Sequence, residues 1–147
     1  CFGHQLLALL LGGKTERAGQ GWGLGVHRYA LLEQPEWMTP GLDSLDMLVF
    51  HQDQVTRLPE NATLIASSPF CPNAVYRIDD QVLCFQAHPE FVHDYSQALL
   101  DLRRDYLGEA LYAQARESLE LDQHGVVVAE WMLRFVAQER AQNRLAA

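Results

Sequence analysis

The chain has 147 residues, 48% of them hydrophobic, enough for one domain with a substantial core and too few for two. A formal net charge of -8 and a single lysine, Lys14, argue against a grip on a nucleic-acid backbone or an anionic membrane surface, so small molecules and proteins are the expected partners. The three cysteines, Cys1, Cys71 and Cys84, have no paired spacing, which points to neither a disulfide framework nor a thiolate zinc site and fits a reducing cytoplasm.

In chain order, residues 2–11 are apolar nearly all round and predict a helix packed on several sides, stopped at Gly12-Gly13. The glycines of residues 19–25 read as a loop before a strand at 26–32. They do not form a phosphate loop, because no Lys-Ser/Thr pair follows and a strand, not a helix, comes next. Pro35 and Pro40-Gly41 bracket an irregular stretch. A strand at 47–50 then ends in the polar block His51-Gln52-Asp53-Gln54-Val55, and further strands are expected at 64–68, 74–78 and 82–86, the last two joined tightly at Asp79-Asp80.

Beyond Asp94 the pattern turns helical. Residues 95–106 place Leu99, Leu102 and Tyr106 on one side, Gly108 interrupts, and 109–121 form a second amphipathic segment. A last helix at 126–138 carries Glu130, Arg134 and Gln138 as a polar stripe, and residues 141–147 are expected to fray. The organisation expected is a domain over residues 1–94 with a helical segment, 95–147, packed on it.

Two stretches can carry chemistry. Cys1 stands before a glycine turn and a helix, where main-chain N–H groups and the positive helix end stabilise a thiolate. Three readings of it are open: a terminal nucleophile using its own α-amino group, the centre of a strand-turn-helix elbow, or an inert core cysteine. His88-Pro89-Glu90 is the second stretch. Residues two apart in an extended chain point the same way, so Glu90 can orient His88 as a general base. No metal site is expected, because His88, His93 and Asp94 lack ligand spacing. His4, His27, His93 and His124 read as surface or packing histidines, and Cys71 and Cys84 as structural.

Cys1-Phe2-Gly3-His4-Gln5, His51-Gln52-Asp53-Gln54-Val55 and Phe85-Gln86-Ala87-His88-Pro89-Glu90, in this order, resemble the class I (triad-type) glutamine amidotransferase family. Within it they are closest to stand-alone GMP-synthase-like amidotransferase domains and the plant γ-glutamyl peptidases. The resemblance implies a flavodoxin-like α/β three-layer domain, of which this sequence is the C-terminal portion beginning at the nucleophile. The first glycine of the family's Gly-x-Cys-x-Gly elbow, its strand and an upstream oxyanion loop lie in the missing N-terminal half. It implies Cys1 as nucleophile, His88 as base and Glu90 as the group that orients it. Phe2 would give an oxyanion N–H, Gln5 would line the glutamine pocket, and His51 and Asp53 would lie near the substrate's α-amino and α-carboxyl groups. The implied activity is hydrolysis of the glutamine γ-amide through a cysteine thioester, releasing ammonia and needing no cofactor. A γ-glutamyl peptide hydrolase or transferase, or an inactive binding module for a synthase partner, are the alternatives. Glutamine or a γ-glutamyl compound, and a synthase subunit or the missing N-terminal segment, are the partners implied.

Overall fold

The computed structural model describes residues 1–145, with side chains as far as Gln138. Among these residues the elements run α1 (Phe2–Leu10), β1 (Lys14–Arg17), β2 (Gly23–Leu31), β3 (Ser44–His51), β4 (Asp53–Arg57), β5 (Ala62–Ser67), β6 (Val75–Ile78), β7 (Val82–Phe85), α2 (His93–Leu107), α3 (Glu109–Ser118) and α4 (Gly125–Leu145). The start of the stretch expected to fray is therefore helical to Leu145, and Ala146 and Ala147 lie outside the described residues.

Alternation along β3 sends Leu45, Met47 and Val49 to one side. There they meet Tyr29, Ile65, Val75 and Phe85 from the neighbouring strands and Val128, Trp131 and Phe135 from α4, which together make the main core. The large sheet has the order β3-β2-β5-β6-β7 with each adjacent pair antiparallel, and β1 and β4 form a separate two-stranded ribbon. Twist curls the large sheet. Although β3 and β7 are its outer strands, His88 N–H, just past β7, donates to the Leu48 carbonyl of β3 at 2.9 Å. Residues of the candidate site gather near that seam.

Buried polar groups hold α4 and α3 in place. Asp46, nearly buried in β3, takes both arms of Arg28 from β2 at 2.8 Å. Its N–H donates to His124 Nδ1, and its carbonyl accepts the His124 N–H, which fixes the turn into α4. On β2, Gly25 has φ +75°, and a methyl group there would strike Ser118 Oγ and come within 2.7 Å of the Ala115 carbonyl oxygen. Glycine is thus required by close approach as well as by conformation. Ser118 Oγ uses that space to accept from Val26 N–H at 3.0 Å and to donate to the Ala115 carbonyl at 2.6 Å. Gly25→Ala is expected to destabilise the fold by about 1–3 kcal/mol, the usual range for overpacking. Urea unfolding measures this, and an unchanged midpoint would mean that α3 is not seated on β2.

Several expectations need correction. The helix α1 is not packed on several sides: His4 and Ala8 are buried against Val55, Tyr76 and Cys84, while Phe2, Leu9 and Leu10 are exposed, because only β4, β7 and their neighbours flank it. In α2 the buried face is Ser96, Leu100 and Leu107. Leu102 and Tyr106 are 76% and 68% exposed, since the helix rests on α3 and β2 through its other side. The strand β2 begins at Gly23, inside the expected loop, because Gly23, Leu24 and Gly25 pair with His51, Phe50 and Val49. Neither β1 nor β4 was expected, and together they form the ribbon beside α1. The stripe of Glu130, Arg134 and Gln138 on α4 does face solvent, with Trp131 and Phe135 buried about a quarter-turn away.

Candidate active site

Cys1 is the N-cap residue of α1. Its main-chain nitrogen donates to the Phe85 carbonyl at the end of β7 at 2.7 Å, and its own carbonyl accepts the first helical bond from Gln5 N–H at 3.1 Å. No side chain caps this helix, and no acidic residue occupies its first turn. The first-turn N–H groups, Phe2 among them, therefore lack intrahelical acceptors and are disposed to meet developing negative charge. The other two thiols are unsuited to chemistry. Burial pushes Cys71 up to about 12 and raises Cys84, so both remain protonated at neutral pH. All three cysteines are free.

The structure brings four of the expected residues to one groove of about 320 Å³: Cys1, Gln5, His51 and Asp53 line it. Arg17, Phe50, Trp22 and Tyr106 line it too, and sequence reasoning missed them. Trp22 packs edge-on against Phe50 and Tyr106, with ring centroids 5.6 and 6.1 Å apart, making an aromatic wall. Arg17 reaches the groove from β1, and its Nε lies 3.8 Å from Asp53 Oδ1. With β1 unseen in the sequence, nothing there could have marked Arg17.

His51 ends β3 and is only 4% exposed, yet neither ring nitrogen has a hydrogen-bond partner among the described residues. Burial lowers its pKa to about 4, which the nearby positive groups reinforce and the adjacent Asp53 main chain only partly offsets. At neutral pH it is an uncharged imidazole with one N–H and one lone pair to offer. Unsatisfied buried polar groups are uncommon, and this one stands at the wall of a groove.

His88 and Glu90 are not among the residues that line that groove; they follow β7, the strand whose last carbonyl, Phe85, accepts from the Cys1 main-chain nitrogen. Their contact is direct: His88 Nδ1 lies 2.8 Å from Glu90 Oε1. Burial acts to raise the Glu90 carboxyl, but the His88 hydrogen bond, one from its own main chain and nearby positive charge outweigh it, so its pKa lies below the ordinary value. An ionised Glu90 can only accept, so Nδ1 carries a proton, and in the neutral imidazole the lone pair is on Nε2. The ring is held further by stacking on Phe91, at 4.0 Å between centroids and 10° between planes, with Phe91 braced edge-on by Tyr95. Phe91 sits three residues after His88, a position sequence reasoning left without a role. The Glu90 carboxylate is close enough to Cys1 for its charge to act on the Cys1 main-chain nitrogen.

Remaining histidines serve packing. His4 Nε2 donates to the Asn73 carbonyl at 2.8 Å while burial holds its pKa at about 3, His93 Nε2 donates to the Leu121 carbonyl, and His124 takes the Asp46 N–H. Among the described residues no cluster of three or more His, Cys, Asp or Glu side chains could hold a metal ion, and no helix is long and apolar enough to cross a membrane.

Fold and site together define an α/β domain that presents a cysteine at an uncapped helix start and, just past β7, a paired histidine and glutamate. Residues 1–103 match the family described as glutamine amidotransferase class-I, and the chain belongs to that family. Gamma-glutamyl peptidase 3 of Arabidopsis thaliana is 31% identical over 131 residues, covering 84% of this chain and 53% of its own length. One subunit of the glutamine-hydrolysing GMP synthase of Methanosphaera stadtmanae is 34% identical over 99 residues, 63% of this chain and 50% of its own. A glutamine amidotransferase structure from Thermotoga maritima superposes with a TM-score of 0.75 at 20% identity, over 92% of this chain and 60% of that one. The fold is accordingly that of the flavodoxin-like amidotransferase domain. The chain spans about half the length of the curated relatives it matches. The family match ends inside α2, so Tyr106 and the helices α3 and α4 lie beyond it.

Proposed function

We propose that this chain supplies the nucleophile, base and part of the substrate pocket for cleavage of a γ-glutamyl amide bond through a thioester on Cys1. The observation that carries the reading is the groove in which Cys1 lies with Gln5, Asp53 and the unpartnered His51. In the first step the Cys1 sulfur attacks the γ-carbonyl carbon, with its proton passing to His88 Nε2. The C–N bond then breaks as His88 returns that proton to the departing nitrogen, leaving a γ-glutamyl thioester. In the second step His88 takes a proton from water, hydroxide attacks the thioester, and glutamate leaves as sulfur regains its proton. Glu90 keeps His88 in the tautomer this requires. The Phe2 N–H meets the oxyanion, Gln5 lines the pocket, and His51 and Asp53 lie near the α-amino and α-carboxyl groups. Glutamine as substrate gives ammonia for a synthase subunit to use. The aromatic wall of Trp22, Phe50 and Tyr106 favours a second substrate, a γ-glutamyl compound whose amine side is larger than ammonia. The resemblance to a gamma-glutamyl peptidase supports the same extension.

The thioester is the testable intermediate. Full-length protein mixed with glutamine or with γ-glutamyl-p-nitroanilide and quenched in acid is expected to carry one γ-glutamyl group on the peptide containing Cys1. An unmodified Cys1 with both substrates, in protein that is folded and alkylatable, would refute cleavage and leave a binding module for a synthase partner.

A further inference from the structure

The hydrogen bond to the Cys1 sulfur comes from a residue to which the two-step cleavage gives no role. Gln86 is wholly buried, at 0% exposure, and its Nε2 lies 3.4 Å from Cys1 Sγ, a distance suited to N–H donation to sulfur. Its main-chain N–H donates to the Ala74 carbonyl at 2.8 Å, which fixes the chain immediately after β7.

Which end of the Gln86 amide faces the sulfur is decided by a chain of contacts. Gln5 donates from Nε2 to the Asp53 main-chain carbonyl at 2.7 Å, and a carbonyl can only accept, so the atom of Gln5 at that point must be its amide nitrogen. The same nitrogen reaches Gln86 at 3.3 Å, so the Gln86 atom facing it must be the oxygen. The Gln86 nitrogen is thereby turned to Sγ. Flipping either amide would set N–H against N–H or oxygen against oxygen around a buried side chain, so the polarity of the relay is locked from Asp53 to the sulfur.

We propose that Gln86 is a positioning residue that holds the Cys1 sulfur as a hydrogen-bond acceptor, its N–H aimed at Sγ by a relay running from the Asp53 carbonyl through Gln5. The donor stabilises a thiolate more than a thiol, because a hydrogen bond to an ionised acceptor is the stronger kind. It also fixes the Cys1 side chain between the open first turn of α1 and the groove. The relay ties the nucleophile to Gln5 and Asp53, so a substrate that moves those groups also reaches the sulfur. This rests on the reading of Cys1 as the nucleophile, but it makes a separate prediction about the free protein.

The test is the pH profile of Cys1 alkylation by iodoacetamide, followed by mass spectrometry on the peptide containing Cys1, with Cys71 and Cys84 buried and slow. Gln86→Met keeps the volume and removes the donor, and is expected to raise the midpoint by about one to two pH units, the shift that corresponds to a hydrogen bond to a charged group. Gln5→Met removes only the lock, so a smaller rise in the same direction is expected. Gln86→Glu, similar in shape and acidic, is expected to raise the midpoint further than Gln86→Met. It serves as the test should Gln86→Met not fold by circular dichroism. A folded Gln86 variant titrating like the wild type would overturn the proposal, since a merely structural glutamine leaves the thiol's profile where it was. The result does not depend on turnover. Dependence on Gln86 with no γ-glutamyl adduct would sink the function and keep the relay; an adduct with no such dependence would do the reverse.

Discussion

Cys1→Ala and His88→Ala are each expected to slow release of the amine from a γ-glutamyl substrate by at least about 10³-fold, the scale on which loss of a covalent nucleophile or its base is felt. The two losses have different signatures. Without Cys1 there is no adduct at all, whereas His88→Ala keeps a sulfur that iodoacetamide still alkylates at high pH, because the helix start and Gln86 remain. Glu90→Gln is expected to be milder, about tenfold. The Glu90 side chain is 65% exposed, so water screens its charge, and Phe91 still clamps the His88 ring from its face. Since the Glu90 carboxyl lies below the ordinary value, it remains ionised through neutral and mildly acidic pH, so its deficit in the variant is expected to be uniform there. Measuring amine release from γ-glutamyl-p-nitroanilide across the three variants checks the order. Wild-type rates from Cys1→Ala would end the assignment, and a Glu90→Gln protein as impaired as His88→Ala would mean that the carboxylate does more than orient.

How far the sequence revealed this arrangement depends on the range of the contacts involved. Local signals were legible. Cys1 before a helical run ended by Gly12-Gly13 gives α1, and the 2.8 Å pairing of His88 with Glu90 was expected, although a turn closed by the Phe91 N–H on the His88 carbonyl makes it, not an extended chain. The compact apolar run Met47 to Phe50 reads as a strand, and β3 contains it. The segment β1, Lys-Thr-Glu-Arg, offers no alternation to read, since its residues are exposed or half-buried and its order comes from pairing with β4. Burial was the least legible property. The leucines of α1 are as apolar as those of a core helix, yet one face alone is covered, and on α2 the buried side was set by β2 and α3 instead of by the most conspicuous hydrophobic row. Composition describes what a face can do; its neighbours decide. Gln86 shows the same limit at the site. Gln86 stands two residues before His88, but its meaning needs Cys1, Gln5 and Asp53, residues that meet it only in the folded chain.

Trp131→Ala is expected to destabilise the domain by about 3–5 kcal/mol, a large part of the roughly 5–15 kcal/mol a domain of this size holds. Trp131 is wholly buried, the largest side chain among the fully buried residues, and it fills the space between α4 and the sheet face carrying Leu45, Met47 and Val49. Its indole N–H donates to the Pro40 carbonyl at 3.0 Å, so the truncation also leaves that acceptor without its partner. Trp131→Phe separates the two terms: it keeps most of the volume and loses the hydrogen bond, and is expected to cost about 1–2 kcal/mol. The consequence reaches the site through Asp46 and His124, which join the start of α4 to β3, the strand that delivers His51 to the groove and offers the Leu48 carbonyl to His88. Loosening α4 is therefore expected to impair turnover before the domain unfolds. Denaturant melts read against amine release in the same solutions would show this as activity lost at lower urea than secondary structure. Coincident loss would mean instead that α4 and the seam unfold as one unit with the rest of the sheet.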